Sequence, residues 1–343
     1  MNEPAIQPTA IDLFSGAGGL TLGLKKAGFR VLAAVEIEPL AVETYRMNHP
    51  EVKVFSKNIR WLTCKRVMQE LNIKPGELDL LAGCPPCQGF STVRTRNKKS
   101  SVFDPRNELI FEFMRFVKRL RPKTVMLENV PGLAKDERFH HFCAKLERMK
   151  YLMNPAVLDA SKYGVPQRRE RLIMIAAKGK KIELGAEDNK ILTVKDALRD
   201  IDETMNQDPL HNKTEKRDPH IMELIRFVPK NGGSRLDLPE KYHLECHKKT
   251  NGFKDVYGRM SWDKVAPTIT GVCNNPSKGR FLHPTEDRAI TLREAALLQG
   301  FPQDYKFSLK RGKGKVALMI GNALPPEFIR RHGLKIIEHL ENA

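Results

Sequence analysis

Residues 10–37 have the sequence AIDLFSGAGGLTLGLKKAGFRVLAAVEI. The mostly apolar stretch 10–14 predicts a strand, and a glycine-rich turn leads from it into a helix over 19–27, which Gly28 ends. A second mostly apolar stretch, 31–37, predicts the next strand. A strand, a helix and a strand in this order form the repeating unit of a parallel α/β sheet.

The same alternation continues to about residue 177. Pro39 opens a predicted helix over 39–48, since proline is well tolerated at the first helical position. Further elements are predicted as strands at 78–82, 124–127 and 171–177 and a helix at 108–120. The sequence therefore predicts an α/β fold with a doubly wound, Rossmann-like sheet.

The alternation of predicted strands and helices stops after about residue 178. The stretch 178–285 is irregular and rich in proline, glycine, asparagine and charged residues, and helical periodicity returns at 291–299 and 327–340. We predict a catalytic and cofactor-binding domain over 1–178, a smaller irregular domain over 179–290, and a C-terminal segment over 291–343 that returns to the first domain.

The net charge of the chain indicates which classes of molecule it can bind. The 343 residues include 59 Lys and Arg against 41 Asp and Glu, a net charge of +18. A surplus of this size indicates a polyanionic partner, and we expect nucleic acid rather than a membrane because no basic amphipathic helix or membrane-spanning stretch is evident. Six cysteines without a disulfide-scaffold pattern, and a start that does not resemble a signal peptide, predict an intracellular protein.

The glycine-rich turn after the first strand is typical of a nucleotide-type ligand site. Gly16 and Gly18 let the backbone approach a ligand and aim the helix N-terminus at it. The dinucleotide fingerprint requires a further glycine where Thr21 stands, and the Walker A pattern is absent. Glu36, at the end of the second strand, suits a ribose hydroxyl, so a nucleoside ligand without a triphosphate is favoured.

Residues 83–91, GCPPCQGFS, follow the strand predicted at 78–82. Two prolines stiffen this turn at the carboxyl edge of the sheet, where open α/β sheets bind ligands, and they present Cys87 as a candidate nucleophile. Cys84 and Cys87 also form a Cys-x-x-Cys pair, so a redox couple or half of a zinc site remains open at this point.

Further polar clusters lie at the ends of predicted elements. They are Glu128-Asn129-Val130, the stretch 163–171 (YGVPQRRER), and the distal stretches 266–270, 293–302 and 319–326. A thiolate, a carboxylate and paired arginines around a nucleoside cofactor suggest cysteine attack on C6 of a pyrimidine, which makes C5 a carbon nucleophile. Protonation at N3 and stabilisation of charge at O2 suit a carboxylic acid and an arginine.

In this order, the blocks resemble the cytosine-5 DNA methyltransferases of bacterial restriction-modification systems, over about 10–177 and 257–330. The resemblance implies an enzyme that flips a cytosine out of a specific duplex sequence and transfers the methyl group of S-adenosylmethionine to C5. It implies Cys87 as the covalent nucleophile and Glu128 at cytosine N3. It also implies that Arg171 reaches O2 while Arg169 supports the site.

The resemblance also implies a set of cofactor-binding residues, with Phe14 against S-adenosylmethionine and Glu36 on its ribose. The full set is Phe14, Ser15, Gly16, Gly18, Gly19, Leu20, Glu36, Ile37, Asn58, Ile59, Pro86, Leu109 and Asn322. This chain has Asn58 where the family usually places an acidic residue that accepts from the adenine amino group. The side-chain oxygen of Asn58 can still accept that hydrogen bond. No metal site is expected.

Double-stranded DNA is the expected partner, and the middle domain is expected to read the target sequence. The basic segment 88–106 is predicted to be a mobile loop that closes over the DNA phosphates. Candidate DNA-binding residues are Gln88, Ser91, Arg94, Arg96, Lys98, Lys99, Arg235 and Arg259. We expect a monomer in the bacterial cytoplasm, associated with the nucleoid, with a possible endonuclease that shares its target sequence.

Three other functions compete with this interpretation. A transfer RNA cytosine-5 methyltransferase would share the fold and the chemistry, but the large middle region favours DNA. A catalytically inactive DNA-binding module would leave Glu128 and the paired arginines without a purpose. A nicotinamide oxidoreductase is disfavoured by Thr21.

Overall fold

A computed structural model describes residues 7–86, 104–201, 205, 207–214, 216–243 and 255–342. The chain divides into two compact units, and each is described by itself. The first unit comprises Met1–Tyr163, Glu170–Glu187 and Leu324–Ala343, and the second comprises Gly164–Arg169 and Asp188–Ala323.

The first unit is built on a seven-stranded mixed sheet. Its strands are β1 (Thr9–Leu13), β2 (Arg30–Val35), β3 (Lys53–Phe55), β4 (Leu80–Gly83), β5 (Thr124–Asn129), β6 (Tyr151–Asp159) and β7 (Glu170–Lys178). The spatial order is β3-β2-β1-β4-β5-β7-β6, in which β1 to β5 are parallel and β7 runs antiparallel to both β5 and β6. The predicted α/β sheet is confirmed.

Helices cover this sheet. They are α1 (Gly19–Ala27), α2 (Pro39–Asn48), α3 (Cys64–Leu71), α4 (Leu109–Leu120), α5 (Glu137–Arg148) and, near the end of the chain, α10 (Pro326–Glu341). Every residue of β4 and β5 is buried, as expected for central strands with helices on both faces. On one face Phe113 stacks on Phe142 with 5.7 Å between ring centroids, which packs α4 against α5.

The C-terminal helix belongs to the first unit because it packs closely on α1. A Cβ added at Gly23 would lie 2.5 Å from the carbonyl oxygen of Pro326 and 2.6 Å from Cβ of Ile329, so only glycine fits there. The chain returns to the first unit at Leu324, whereas the sequence placed the return at 291.

The second unit contains α6 (Val194–Leu198), α7 (Pro219–Phe227), α8 (Leu292–Leu298) and α9 (Lys313–Asn322) among long irregular stretches. The helices α8 and α9 lie here because residues 164–169 bind them. Gln167 donates to the carbonyl oxygen of Leu298, and Arg169 donates to the carbonyl oxygen of Gly321. A segment predicted to belong to the first domain is thereby part of the second unit.

No helix in the described ranges is long and apolar enough to span a membrane.

Candidate active site

The glycine-rich turn forms an open cradle at the carboxyl end of β1. Phe14 has φ 62°, Gly16 φ 54° and Gly18 φ 96°, so three residues near this turn adopt left-handed backbone conformations. For a bulky residue such as Phe14 this conformation is strained, and strained backbone of this kind concentrates at ligand sites. A Cβ added at Gly16 would meet no heavy atom within 4 Å, which leaves room for a ligand against the backbone.

Glu36 ties this turn to the end of β2. One carboxylate oxygen accepts from the backbone N–H of Gly16 at 2.8 Å, and the other accepts from the N–H groups of Ile37 and Glu38, each at 2.8 Å. Ile37 is 61% exposed beside it. The carboxylate is therefore held at the position where the sequence predicted a ribose acceptor, next to an apolar surface that a base could cover.

Two buried polar atoms below the turn have no hydrogen-bond partner in the described structure: Oδ1 of Asp12 and Oγ of Ser15. The other carboxylate oxygen of Asp12 accepts from the hydroxyl of Thr21 at 2.7 Å. Burial raises the pKa of Asp12 to about 7 despite this hydrogen bond. Orphaned buried groups at an open glycine turn fit a site that a polar ligand completes.

The other predicted cofactor-binding residues are distributed over neighbouring elements. Asn58 caps a short turn over Ile59–Trp61, where its side-chain oxygen accepts from the backbone N–H of Arg60 at 3.1 Å. That oxygen has a second lone pair for another donor. Ile59 is buried, whereas Pro86 and Leu109 are half-buried. Leu20 is buried in α1, and Gly19 begins that helix.

Glu128 and Arg171 form an ion pair at the same edge of the sheet. Nε of Arg171 lies 3.0 Å from Oε1 of Glu128, and the two side chains are 15% and 9% exposed. Glu128 pairs with Ile173 in the antiparallel ladder of β5 and β7, so Arg171 is its diagonal neighbour on the same face. A carboxyl group and a guanidinium side by side can contact two adjacent polar atoms on one edge of a planar base.

Cys84 lies in contact with this pair. Burial, and then the neighbouring Glu128, raise the pKa of the Cys84 thiol well above its usual value. A cysteine that stays protonated is a poor nucleophile, because the thiolate is the reactive form. Of the Cys-x-x-Cys pair, Cys84 is therefore the less suited to act as a nucleophile, and the predicted nucleophile Cys87 lies outside the described residues.

In the second unit, Arg169 is a structural residue that fixes the segment next to Asn322. It is 2% exposed and donates to the carbonyl oxygens of Ile269 at 3.1 Å, Gly321 at 2.8 Å and Ala323 at 3.1 Å. Asn322, at the end of α9, has an exposed side chain. The contacts of Arg169 are with backbone of its own unit, and its supporting role in catalysis stays a prediction.

Two predicted DNA-binding residues are buried. Arg259 has no exposed side-chain surface, and its guanidinium donates to four backbone carbonyls and to the carboxylate of Asp287. Arg235 is 6% exposed. In the structure described, both side chains are buried rather than displayed at the surface, which argues against a phosphate contact; their role in DNA binding stays a prediction. The other candidates, Gln88, Ser91, Arg94, Arg96, Lys98 and Lys99, lie outside the described residues.

An exposed basic segment was missed. Lys310, Arg311, Lys313 and Lys315 are all exposed around the start of α9, whose first turn contains no acidic residue. Lys313 and Lys315 form no ion pair with any carboxylate in the described parts of the chain. The sequence KRGKGK, four cations in six residues, was the signal that could have found it.

A seven-stranded sheet with a reversed β7 and a glycine-rich turn after β1 defines the S-adenosylmethionine-dependent methyltransferase class of α/β proteins. Residues 9–338 match the family of C-5 cytosine-specific DNA methylases. The chain belongs to this family: it is a DNA cytosine-5 methyltransferase that uses S-adenosylmethionine.

Individual relatives agree with this assignment. The chain is 37% identical over 333 residues to Type II methylase M.HgiDII of Herpetosiphon aurantiacus, covering 92% of this chain and 91% of that protein. It is 35% identical over 333 residues to Type II methyltransferase M1.HphI of Haemophilus parahaemolyticus, covering 93% and 83%.

Solved structures show the same fold. The chain superposes with a TM-score of 0.70 and 27% identity on a crystal structure described as a prophage-encoded DNA modification methyltransferase of E. coli, covering 98% of this chain and all of that one. The S. pombe Dnmt2 methyltransferase, at 18% identity and a TM-score of 0.64 over 97% and 99% of the chains, shares the fold.

Proposed function

We propose that this enzyme is the modification half of a bacterial restriction-modification system and methylates one cytosine in a specific duplex sequence. The observation that carries the proposal is the Glu128–Arg171 pair, which lies at the carboxyl edge of the sheet beside the Cys84-Pro85-Pro86 turn that directly precedes Cys87. The Type II relatives named above support the restriction-modification context.

S-adenosylmethionine fits the cradle on this chain's own residues. Gly16 and Gly18 would hold it against the backbone, and Glu36 would accept from its ribose. Within the first unit, Phe14, Ile37, Asn58 and the neighbouring candidates would line the remainder of the site. Bound there, the cofactor supplies an electrophilic methyl group on a sulfonium centre.

The protein residues activate the cytosine. The Cys87 thiolate adds to C6 of the flipped base, and the electron pair of the C5–C6 double bond shifts toward N3, where Glu128 donates a proton. Arg171 holds O2 and stabilises the charge that develops on the ring. C5 is now nucleophilic and would take the methyl group; the carbon–sulfur bond of the cofactor would break with its electron pair left on sulfur, and the N3 proton would return to Glu128. Removal of the C5 proton by a base then restores the double bond as Cys87 leaves.

We further propose that the second unit reads the target sequence and that Lys313 and Lys315 contact DNA phosphates. When unpaired surface cations such as these neutralise DNA phosphates, the DNA releases the counterions condensed on those phosphates. We expect the protein to act as a monomer on nucleoid DNA in the cytoplasm, with any partner endonuclease recognising the same sequence without necessarily contacting it.

Bisulfite sequencing of plasmid DNA from cells that express the protein tests this function and identifies the target. One short sequence context should be methylated at C5, and expression of Cys87→Ala should leave the same plasmid unmethylated. Purified protein incubated with labelled S-adenosylmethionine should label duplex DNA. Label that appears on transfer RNA alone would overturn the choice of substrate.

The covalent route has a separate test. A duplex that carries 5-fluorocytosine at the identified target should form an adduct at Cys87 that survives denaturation, because fluorine at C5 cannot leave as a proton does. Peptide mass mapping locates the adduct. A methylating enzyme that forms no such adduct would contradict the mechanism.

A further inference from the structure

The regular hydrogen bonding of β4 ends at the turn that precedes Cys87. The last register pair between β4 and β5 is Gly83 with Leu127. On the other side, the N–H of Cys84 donates to the carbonyl oxygen of Leu13 at 3.2 Å. Pro85 and Pro86 follow, and proline has no backbone N–H to continue the ladder. After Cys84, Pro85 and Pro86 therefore have no backbone N–H group that could hydrogen-bond them to a neighbouring strand, and another group must hold this turn in place.

The side chain of Asn129 supplies that anchor. Its Nδ2 donates to the carbonyl oxygen of Pro85 at 2.8 Å, and its Oδ1 accepts from the N–H of Val130 at 2.9 Å. The side chain is 6% exposed, so both bonds are shielded from water. Continued by two residues, the parallel register places Pro85 opposite Asn129, and the amide takes the place of a missing ladder bond.

The anchor is adjacent in sequence to Glu128. Successive side chains of a strand point to opposite sides, so the last two residues of β5 have different partners. Glu128 pairs with Arg171, and Asn129 donates to the carbonyl oxygen of Pro85 in the turn after β4. A rigid two-residue link thus connects the carboxyl group to the backbone that leads into Cys87. This link fixes the distance between the Glu128 carboxyl group and the Pro85 backbone more tightly than a solvated loop could.

We propose that Asn129 is a positioning residue for methyl transfer. Its amide fixes the backbone at Pro85, two residues before Cys87, and thereby the place where the segment that carries the nucleophile begins. This inference rests on the proposed covalent role of Cys87. Asn129 does not touch the cytosine or the cofactor in this assignment. Its loss should slow the addition of the thiolate to C6 without weakening the binding of either substrate.

The variant Asn129→Asp tests the proposal because it keeps the volume and the acceptor for Val130 but replaces the donating amide with an oxygen that repels the Pro85 carbonyl. Asn154→Asp is the matched control, since Asn154 donates from Nδ2 to the carbonyl oxygen of Ile182 at 3.0 Å on the edge strand β6, within the same unit. Asn129→Ala serves as a second variant without the added charge.

The readout is the single-turnover rate constant for the Cys87 adduct with a 5-fluorocytosine duplex, measured with saturating S-adenosylmethionine. A displacement of the nucleophile by about 1 Å should reduce this constant roughly 100-fold in both Asn129 variants. Dissociation constants for S-adenosylmethionine and for DNA should stay within about threefold, as should the rate constant of Asn154→Asp. With both substrates saturating, a slowly exchanging unfolded fraction lowers the amplitude of the single turnover, whereas a displaced nucleophile lowers its rate constant.

Two failures are distinguishable. If the unaltered protein methylates DNA but forms no adduct, the covalent mechanism fails. If the unaltered protein forms the adduct and the Asn129 variants form it within about threefold of the same rate, the positioning role is overturned. A loss of substrate affinity in Asn129→Asp that matches its loss of rate would also overturn it, since Asn129 would then act on binding.

Discussion

Replacing Arg259 with methionine removes the guanidinium at the centre of the second unit while keeping much of the apolar stem. The side chain has no exposed surface, and burial lowers its pKa although the Asp287 carboxylate opposes this. The acceptors that would lose this donor are the carbonyl oxygens of Ile225, Val228, His283 and Glu286. The carboxylate of Asp287 would keep its hydrogen bond from Lys230.

The expected cost follows from these contacts. Each buried acceptor left unsatisfied costs about 1–3 kcal/mol, but the values do not add because the structure relaxes and water enters. With four buried carbonyl oxygens losing a charged donor and partial relaxation around them, we expect a loss of about 3–5 kcal/mol of unfolding free energy. For a unit of this size, the thermal midpoint should fall by about 10–15 °C.

Scanning calorimetry of the whole protein measures this effect, with Arg226→Met as the control. Arg226 is an exposed arginine on α7, the helix that supplies one of the carbonyls bound by Arg259, and its removal should change stability by less than about 0.5 kcal/mol. A normal thermal midpoint in Arg259→Met, combined with weaker DNA binding and a salt dependence reduced by about one phosphate contact, would refute the structural role and restore the DNA-contact role.

Two further results are expected. Because burial raises the pKa of Asp12 from 3.8 to about 7, the folded protein binds a proton that the unfolded chain releases between these values. Stability relative to Asp12→Asn should therefore fall by up to about 4 kcal/mol as pH rises from 4 to 7, measured by urea unfolding without cofactor, and a pH-independent difference would contradict the burial argument. The double variant Lys313→Ala/Lys315→Ala should lower the slope of log K against log salt for DNA by about 2, whereas Lys180→Ala/Lys181→Ala, which removes the same charge, should not. If both double variants lowered the slope equally, the loss of net charge alone would explain the change, and the proposed phosphate contacts of Lys313 and Lys315 would be refuted.

Local signals in the sequence predict the elements that position the site. The helices over 19–27 and 39–48 begin and end as the structure has them, because Gly28 and Pro39 fix their boundaries through backbone constraints that need no tertiary context. The strands that precede the glycine-rich turn and Cys84 are central and mostly apolar, with Asp12 as a buried exception, and such strands are readily recognised. Glu128 and Arg171 were predicted to act on one base, and the structure brings them to 3.0 Å.

Long-range contacts decide the features that the sequence did not predict. The edge strand β6 contains Pro155 and exposed side chains, so its pattern is not that of a buried strand, and its pairing with β7 defines it. The position of α9 in the second unit depends on Arg169, more than a hundred residues earlier in the chain. An arginine such as Arg259 looks like a surface cation in a basic sequence, because only the fold reveals the carbonyls around it.

The reversal of β7 explains how an arginine near the start of a strand reaches a site at the carboxyl edge of the sheet. The residues that follow the parallel strands β1 and β4 lie at this carboxyl edge. The last two residues of β5, Glu128 and Asn129, lie there as well. A parallel strand in the place of β7 would deliver its last residues to this edge. Because β7 has nine residues and rises about 3.3 Å per residue, that arrangement would put Arg171 roughly 20 Å from Glu128. Antiparallel pairing instead places Leu172 opposite Asn129, so that Arg171 and the carboxylate meet. The same register sets the acid and the anchoring amide of β5 next to the turn that leads into Cys87, and the reversed strand is in this way a requirement of the site.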